Sequence, residues 1–346
     1  LYPGQGSQRP GMLNDLFVTF GGLDDLLRLG APWAETMFPR TAFTREERAA
    51  QQAAITSTEV AQPTLGIAAL AMTRLLRRVG VTPDAAAGHS YGELAALAAA
   101  GTFDDETLLS LSAARGGAVL AAVEQSGGDP GAMAAISLTL DEVTTRLTAW
   151  PDIVVANHNA PRQVVISGPT SSVRAAVETF EADGVRATLI PVACAFHSPL
   201  IAQACELLTS ALDQVEVKAP AFPVWSNTTA EPYPSDDPAA VRALLASQVT
   251  AGVRFVDQIE SMYASGIRTF VEAGPGRVLS GQVAKVLGGR PLALLACEVP
   301  GEPGLRRFLQ ALAQLATLGV PVDETSLFAG RAEAVELRTW PVKAPG

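Results

Sequence analysis

The sequence predicts an α/β protein in which a large domain built on a parallel sheet is interrupted by a small α+β lobe. Three observations carry this. Short apolar runs alternate with long helical patterns in both outer parts of the chain, a β-α-β-β-α-β order of ferredoxin-like type fills the middle, and one strand candidate runs straight into a glycine-flanked serine and then a helix. At 346 residues the chain has room for about two domains of ~150 residues each.

The elements follow in order. After a Gly-rich opening at 4–11, the segment Thr44 to Arg78 reads as two helices, the second with Val60, Leu65, Ile67, Leu70, Leu75 and Leu76 on a broad apolar face and Gly80 as its stop. A strand over Asp84 to Gly88 leads through Ser90 into a helix over Tyr91 to Ala100, closed by Gly101. Asp104 to Gln125 reads as a further helix, and Gly127-Gly128-Asp129-Pro130-Gly131 is the strongest punctuation in the chain. Beyond it, strands at Met133 to Leu138, Ile153 to Ala156, Gln163 to Ser167 and Arg186 to Val192 flank helices at Asp141 to Ala149 and Ser171 to Ala182. Helices return from Ser198, interleaved with apolar runs at Phe222 to Trp225, Thr269 to Glu272 and Leu292 to Leu295. The expected organisation is a large subdomain over 1–130 and 195–330, a small subdomain over 131–194, and a linker segment over 331–346.

Composition narrows the functions open to such a chain. With 48% hydrophobic and 17% charged residues, neither a disordered tail nor a highly charged coiled coil fits. A net charge of −10 without a run of Lys or Arg argues against nucleic acid or an anionic membrane surface as the partner. No apolar stretch approaches the ~20 residues of a spanning helix. Three cysteines, Cys194, Cys205 and Cys297, form no CxxC pair, which favours a reducing, cytoplasmic setting. The opening Leu1-Tyr2-Pro3 carries no signal-peptide pattern, and we expect a piece of a longer protein.

Gly88-His89-Ser90-Tyr91-Gly92 matches G-x-S-x-G, a turn whose small flanking residues expose a serine hydroxyl at a helix N-terminus. The helix start lends free backbone N–H groups to an oxyanion, and the N–H of Tyr91 is the natural first donor. A serine hydroxyl needs a base, and only three histidines exist. His89 adjoins the serine and reads as a hydrogen-bonding residue. His158 sits in what reads as a loop of the small lobe, where packing or solvation accounts for it. His197, in Ala195-Phe196-His197-Ser198-Pro199 at the return to the large domain, is the base by position and elimination. Asn159 and Asn227 read as loop residues that could line the cleft, although turn and backbone bonding accounts for them more simply.

Six motifs in one order, Gly4-Gln5-Gly6-Ser7-Gln8, Gly88-His89-Ser90-Tyr91-Gly92, Arg115-Gly116, Gln163-Val164-Val165-Ile166-Ser167-Gly168, Phe196-His197-Ser198 and Glu272-Ala273-Gly274-Pro275-Gly276, resemble the malonyl-CoA:acyl-carrier-protein transacylases and the acyltransferase domains of polyketide synthases. The resemblance implies an α/β-hydrolase-like large domain with a ferredoxin-like insertion. It also implies transfer of a malonyl group from malonyl-CoA, through an ester on Ser90, to the phosphopantetheine thiol of an acyl carrier protein. On it, His197 is base and then acid, the backbone N–H groups of Gln5 and Tyr91 form the oxyanion hole, Arg115 grips the free carboxylate of the acyl group, and His89 and Phe196 border the substrate. A backbone carbonyl that orients the histidine falls on Arg254. The expected partners are a carrier-protein domain and the other domains of a multidomain synthase, with no metal and no tightly bound cofactor. Phe196 agrees with malonyl because its ring would crowd a 2-methyl group, an effect of ~1 to 3 kcal/mol. Cys194 stands where the family often has His or Tyr. Tyr91 with Cys194-Ala195-Phe196-His197 resembles iterative synthases of the enediyne type most, and 335–342 resembles the linker after acyltransferase domains.

Two other readings share parts of this pattern. A thioesterase of the α/β-hydrolase kind has the same elbow and would need an acidic third member, for which Asp141, Asp152 and Asp183 offer themselves from the small lobe. A non-catalytic docking module would have no physical reason to keep Ser90, His197 and Arg115 together.

Overall fold

The computed structural model describes residues 1–125, 129–329 and 332. Its strands are β1 (Ala86–Ala87), β2 (Ala132–Ile136), β3 (Val154–Ala160), β4 (Gln163–Gly168), β5 (Ala187–Ile190), β6 (Val224–Trp225), β7 (Thr269–Glu272) and β8 (Ala293–Ala296).

Helix formation in the first part of the chain follows local rules. Thr44 accepts from Glu47 N while the Glu47 carboxylate accepts from Thr44 N, a capping box that starts helix Arg45–Thr56. The chain then turns at Ser57 into helix Thr58–Arg78. Every residue from 61 to 72 in that helix is buried, so the expected apolar face is in fact the whole circumference. It runs through the middle of the large core, against helices Ala31–Met37, Gly92–Ala99 and Asp105–Gln125.

The parallel sheet of the large domain is assembled from very short strands. β1 pairs with β6 and β7 with β8, all parallel. Residues 1–2 join the two pairs: Tyr2 N donates to Ala87 O, His89 N to Tyr2 O, and Ala273 N to Leu1 O. The order across the sheet is therefore β8, β7, the opening segment, β1, β6. The strand expected over Asp84 to Gly88 narrows to two residues, Ala86 and Ala87, with the turn around Ser90 starting at Gly88. The opening segment is too short for a period-2 signal, and so it does not read as a strand from sequence.

The small lobe is an antiparallel sheet in the order β3-β4-β2-β5, with helices Leu140–Leu147 and Thr170–Ala182 packed on it. Its own core gathers Ile136, Val143, Val164, Ile166, Val173 and Phe180. His158 lies within β3 and not in a loop, as do Asn157 and Asn159. The edge of β3 is laced to the large domain, His158 N donating to Val253 O at 2.9 Å and Val253 N to Ala156 O at 2.8 Å. At the entry to the lobe Asp129 accepts from Gly131 N and Thr170 N. Gly127 and Gly128 fall outside the described residues, and so does the expected linker 331–346 apart from Ala332. Among the described residues no helix is long and apolar enough to cross a membrane.

Phe180 is 1% exposed at the centre of the small-lobe core. Phe180→Ala should lower stability by about 3 to 5 kcal/mol through lost burial and a residual cavity. Urea unfolding followed by circular dichroism checks this, and a loss below 1 kcal/mol would mean the lobe is not held by this core.

Candidate active site

The serine turn is built by close approach. Ser90 sits at φ 51°, in the left-handed region. A Cβ on Gly88 would lie 1.9 Å from Gly92 C, and one on Gly92 would lie 2.0 Å from Tyr2 O. Only glycines let the strand, the turn and helix Gly92–Ala99 cross at this spacing. Gly4 is under the same constraint, its Cβ position being 2.2 Å from His89 O, and this brings Gln5 alongside the elbow. Ser90, Gln5, His89, Arg115, Phe196 and His197 all line one cleft of roughly 420 Å3 between the two lobes.

Ser90 Oγ lies 2.8 Å from His197 Nε2. The other ring nitrogen, Nδ1, is 2.8 Å from Ala251 O and 3.2 Å from Gln248 O. Carbonyls only accept, so Nδ1 carries the proton and Nε2 presents its lone pair to the serine hydroxyl. His197 is 3% exposed. Burial above all, then the positive charge of Arg115 and the neighbouring His89, pull it down to about 3, so the imidazole is neutral at ordinary pH.

The carbonyl that orients this histidine is not that of Arg254. Arg254 precedes helix Phe255–Ala264, and its carbonyl accepts the first bond of that helix from Gln258 N. The role falls instead to Ala251 and Gln248, three and six residues earlier, at the end of helix Pro238–Ser247, where carbonyls are left without helical partners. The Arg254 side chain turns away to Asp257 and Thr229 O.

Arg115, on helix Asp105–Gln125, is 2% exposed. Its guanidinium donates to Gln248 Oε1 at 3.2 Å, and among the described residues no carboxylate forms an ion pair with it. Burial draws its pKa down to about 10, still a cation at neutral pH. Buried charge without a counter-ion is costly, and an arginine held this way on a cleft wall is suited to a ligand carboxylate. Phe196, 8% exposed, lines the same cleft, and Cys194, two residues before it, is fully buried.

His89 Nε2 is 2.7 Å from Asn159 Oδ1, and burial holds the ring below its ordinary pKa, so it is a neutral cleft residue tied to β3. The backbone N–H groups of Gln5 and Tyr91 have no acceptor within the protein among the described residues. Thr58 and Gln62 hold the Gln5 carboxamide, each at 3.3 Å. The Tyr91 ring points into the core, its hydroxyl donating to Ser112 Oγ, which donates to Leu108 O. None of the acidic residues proposed as a third member reaches His197: Asp152 bonds Ser172 and Asp183 bonds Arg146, both on the surface of the small lobe, where Asp141 is exposed as well.

Sequence reasoning missed a buried polar group behind the elbow. Glu93 is wholly buried, accepting from Asn227 N at 2.8 Å and from Tyr233 Oη. Burial pushes its carboxyl up to about 7. Asn227, read as a turn residue, bonds Ser90 N, Gly88 O and Gln258 through its side chain. A lone carboxylate in a helix otherwise made of Gly, Ala and Leu was the available signal.

Fold and site together define a serine acyl-transfer enzyme, with the hydroxyl on a neutral histidine and two free N–H groups beside it. Residues 1–322 match the model of the acyl transferase domain, and the chain belongs to that family. It is 36% identical over 306 residues to the malonyl CoA-acyl carrier protein transacylase of Bacillus subtilis, covering 87% of this chain and 93% of that protein. It is 33% identical over 350 residues to the phenolphthiocerol synthesis polyketide synthase Pks15/1 of Mycobacterium marinum, covering 98% of this chain and 16% of the length of that synthase. Among solved structures, the acyltransferase domain from the second module of the salinomycin polyketide synthase superposes with a TM-score of 0.83 at 30% identity, covering 96% of this chain and 77% of that one. The acyl-carrier-protein-S-malonyltransferase of Bartonella henselae gives 0.79 at 32%, covering 92% and 98%.

The buried carboxyl sets a pH dependence. In the unfolded chain Glu93 titrates near 4.5, and in the folded one near 7, so the folded state holds the extra proton in between. Stability from this group is present below 4.5 and is lost as pH rises through 7, by roughly 3 kcal/mol. The lowered histidines work the other way, losing stability as pH falls below 6.5. Glu93→Gln should therefore gain on the wild type as pH rises from 5 to 8. Urea midpoints at the two pH values read this, and a constant gap would mean that the carboxyl does not change its charge there.

Proposed function

We propose that this chain moves a malonyl group from malonyl-CoA, through an ester on Ser90, to the phosphopantetheine thiol of an acyl carrier protein in polyketide biosynthesis. One observation carries the reading: Ser90 and His197, 2.8 Å apart, open on the same cleft as Arg115, a buried guanidinium that no carboxylate among the described residues pairs. The relatives support it. The transacylase named above is a malonyl enzyme, and one solved structure, 28% identical with a TM-score of 0.76, is a malonyl-transacylase of a type II polyketide synthase in complex with its acyl-carrier protein.

In this mechanism His197 Nε2 takes the Ser90 proton as Oγ attacks the thioester carbonyl. Its Nδ1–H stays on Ala251 O and keeps the lone pair aimed. The developing oxyanion is held by the N–H groups of Gln5 and Tyr91, which need no reorganisation because nothing among the described residues competes for them. His197 then protonates the departing CoA thiolate. The ester waits until the carrier thiol enters and the steps run in reverse, a ping-pong sequence. Thioester exchange is near thermoneutral, so the protein supplies orientation and charge stabilisation.

Arg115 acts twice. Its planar fork takes the malonyl carboxylate through two hydrogen bonds, worth about 1.5 to 3 kcal/mol relative to acetyl. The bound carboxylate also offsets the positive charge that holds His197 down, making it a better base when the right acyl group is seated. We place Phe196 against C2 of the acyl group and His89, fixed by Asn159, on the cleft floor. A thioesterase reading would need an acidic partner of the histidine, and among the described residues Nδ1 meets carbonyls instead.

Intact-protein mass spectrometry after incubation with malonyl-, methylmalonyl- and acetyl-CoA tests this. A malonyl adduct is expected on the wild type, absent in Ser90→Ala. Arg115→Ala should lose about 10- to 100-fold in malonyl loading and accept acetyl. No adduct, or rapid release of free acid without a carrier, would overturn the assignment. Loading should also change little between pH 5 and 8, because His197 is neutral throughout; a limb with its midpoint near 6.5 would show an ordinary, solvated histidine.

A further inference from the structure

β1 and β6 pair in parallel through Ala87 opposite Trp225, and there the backbone ladder stops. Beyond it β1 enters the serine turn, leaving Gly88 O and Ser90 N without strand partners. The side chain of Asn227, two residues past Trp225, takes both. Its Oδ1 accepts from Ser90 N at 2.6 Å and its Nδ2 donates to Gly88 O at 2.6 Å. One carboxamide thus does the work of two ladder bonds across His89, at the entry to Ser90 with its φ of 51°.

The orientation of that carboxamide is not free. Nδ2 also donates to Gln258 Oε1 at 3.0 Å, and Gln258 is fixed by donating through Nε2 to Trp225 O at 2.9 Å. Turning Asn227 over would set donor against donor at Ser90 N and acceptor against acceptor at Gly88 O. The Asn227 backbone is held from both sides, its N–H by Glu93 Oε2 and its carbonyl by Arg254 N at 2.9 Å. Asn227 is fully buried, and the titratable and charged groups around it are Glu93, Tyr233, His89 and the Arg254–Asp257 pair.

We propose that Asn227 is a positioning residue, whose carboxamide holds the left-handed turn that aims Ser90 Oγ at His197 and Tyr91 N–H at the acyl oxygen. It touches no substrate and acts only through the elbow. The proposal rests on the reading of Ser90 as nucleophile, so its test uses a probe of that serine which needs no malonyl group.

Asn227→Asp is the informative variant. It keeps an acceptor for Ser90 N but turns the donor into a carboxylate oxygen facing Gly88 O and Gln258 Oε1, beside Glu93. Only the protonated acid can donate to Gly88 O. The readouts are the rate of phosphonylation of Ser90 by a fluorophosphonate and the rate of malonyl loading, both by quenched intact-mass measurement, with thermal unfolding at each pH. At pH 8 both rates should fall about 100-fold, with kcat lowered and KM for malonyl-CoA unchanged. At pH 5.5 they should recover about tenfold or more, against little change in the wild type.

A folded Asn227→Asp as reactive as the wild type, or slow at both pH values, would overturn the proposal. If it does not fold, Gln258→Met decides, since it frees the carboxamide without touching Gly88 or Ser90. A loss of about 3- to 10-fold in phosphonylation supports the proposal and no loss overturns it. A wild type that is phosphonylated but takes no malonyl group would strike the substrate reading and leave this one standing.

Discussion

The structure depends on one crossing, where Gly88, Ser90 and Gly92 let a strand turn into a helix with backbone packed on backbone. Because a Cβ at either glycine would fall within about 2 Å of main chain, the spacing admits no variation. Much of the large domain is arranged to serve that crossing. The opening segment is seated between β1 and β7 so that Tyr2 O meets both His89 N and the open face of Gly92. Gly4 then carries the chain past His89 and delivers the Gln5 N–H to the cleft. A parallel sheet of such short strands is weak as a ladder. Its stability comes from burial on both faces, with the long helix Thr58–Arg78 as the central filler.

The chemistry is divided between parts of the chain remote in sequence. The serine comes from the sheet, the histidine from the return out of the small lobe, and the carbonyls that set its tautomer from the end of a third helix. Carbonyls in place of a carboxylate leave the imidazole with dipoles instead of a counter-charge. The formal charge that acts on the imidazole is that of Arg115, buried in the same region, and it lowers the histidine further.

Much of this was legible in the sequence. G-x-S-x-G between a strand and an Ala-rich helix, the β-α-β-β-α-β run and the position of His197 are local or nearly local signals, and each appears in the fold where the pattern put it. The failures share a cause. Arg254 follows from the resemblance, which places the orienting carbonyl by motif position, but which carbonyl points at a ring depends on where a helix ends in space, and here Ala251 and Gln248 supply it. Asn227 and Asn159 read as turn residues because Asn is common in turns. Their partners, Ser90 and His89, lie 137 and 70 positions away, beyond any local pattern. Residues 1–2 did not read as a strand because two residues carry no periodicity.

The seam between the lobes has a mechanical consequence. β3 belongs to the small lobe, yet its backbone is bonded to Val253 of the large domain on either side of Asn157. To swing one wall of the cleft away from the other, the protein would have to break main-chain bonds and reopen the packing around Ala156 and Val253. A cleft laced in this way works as a slot and not as a jaw. Any group that is to reach Ser90 enters from the rim of a wall-to-wall fixed opening, so its own length and flexibility, and not a closing motion of the lobes, must span the distance.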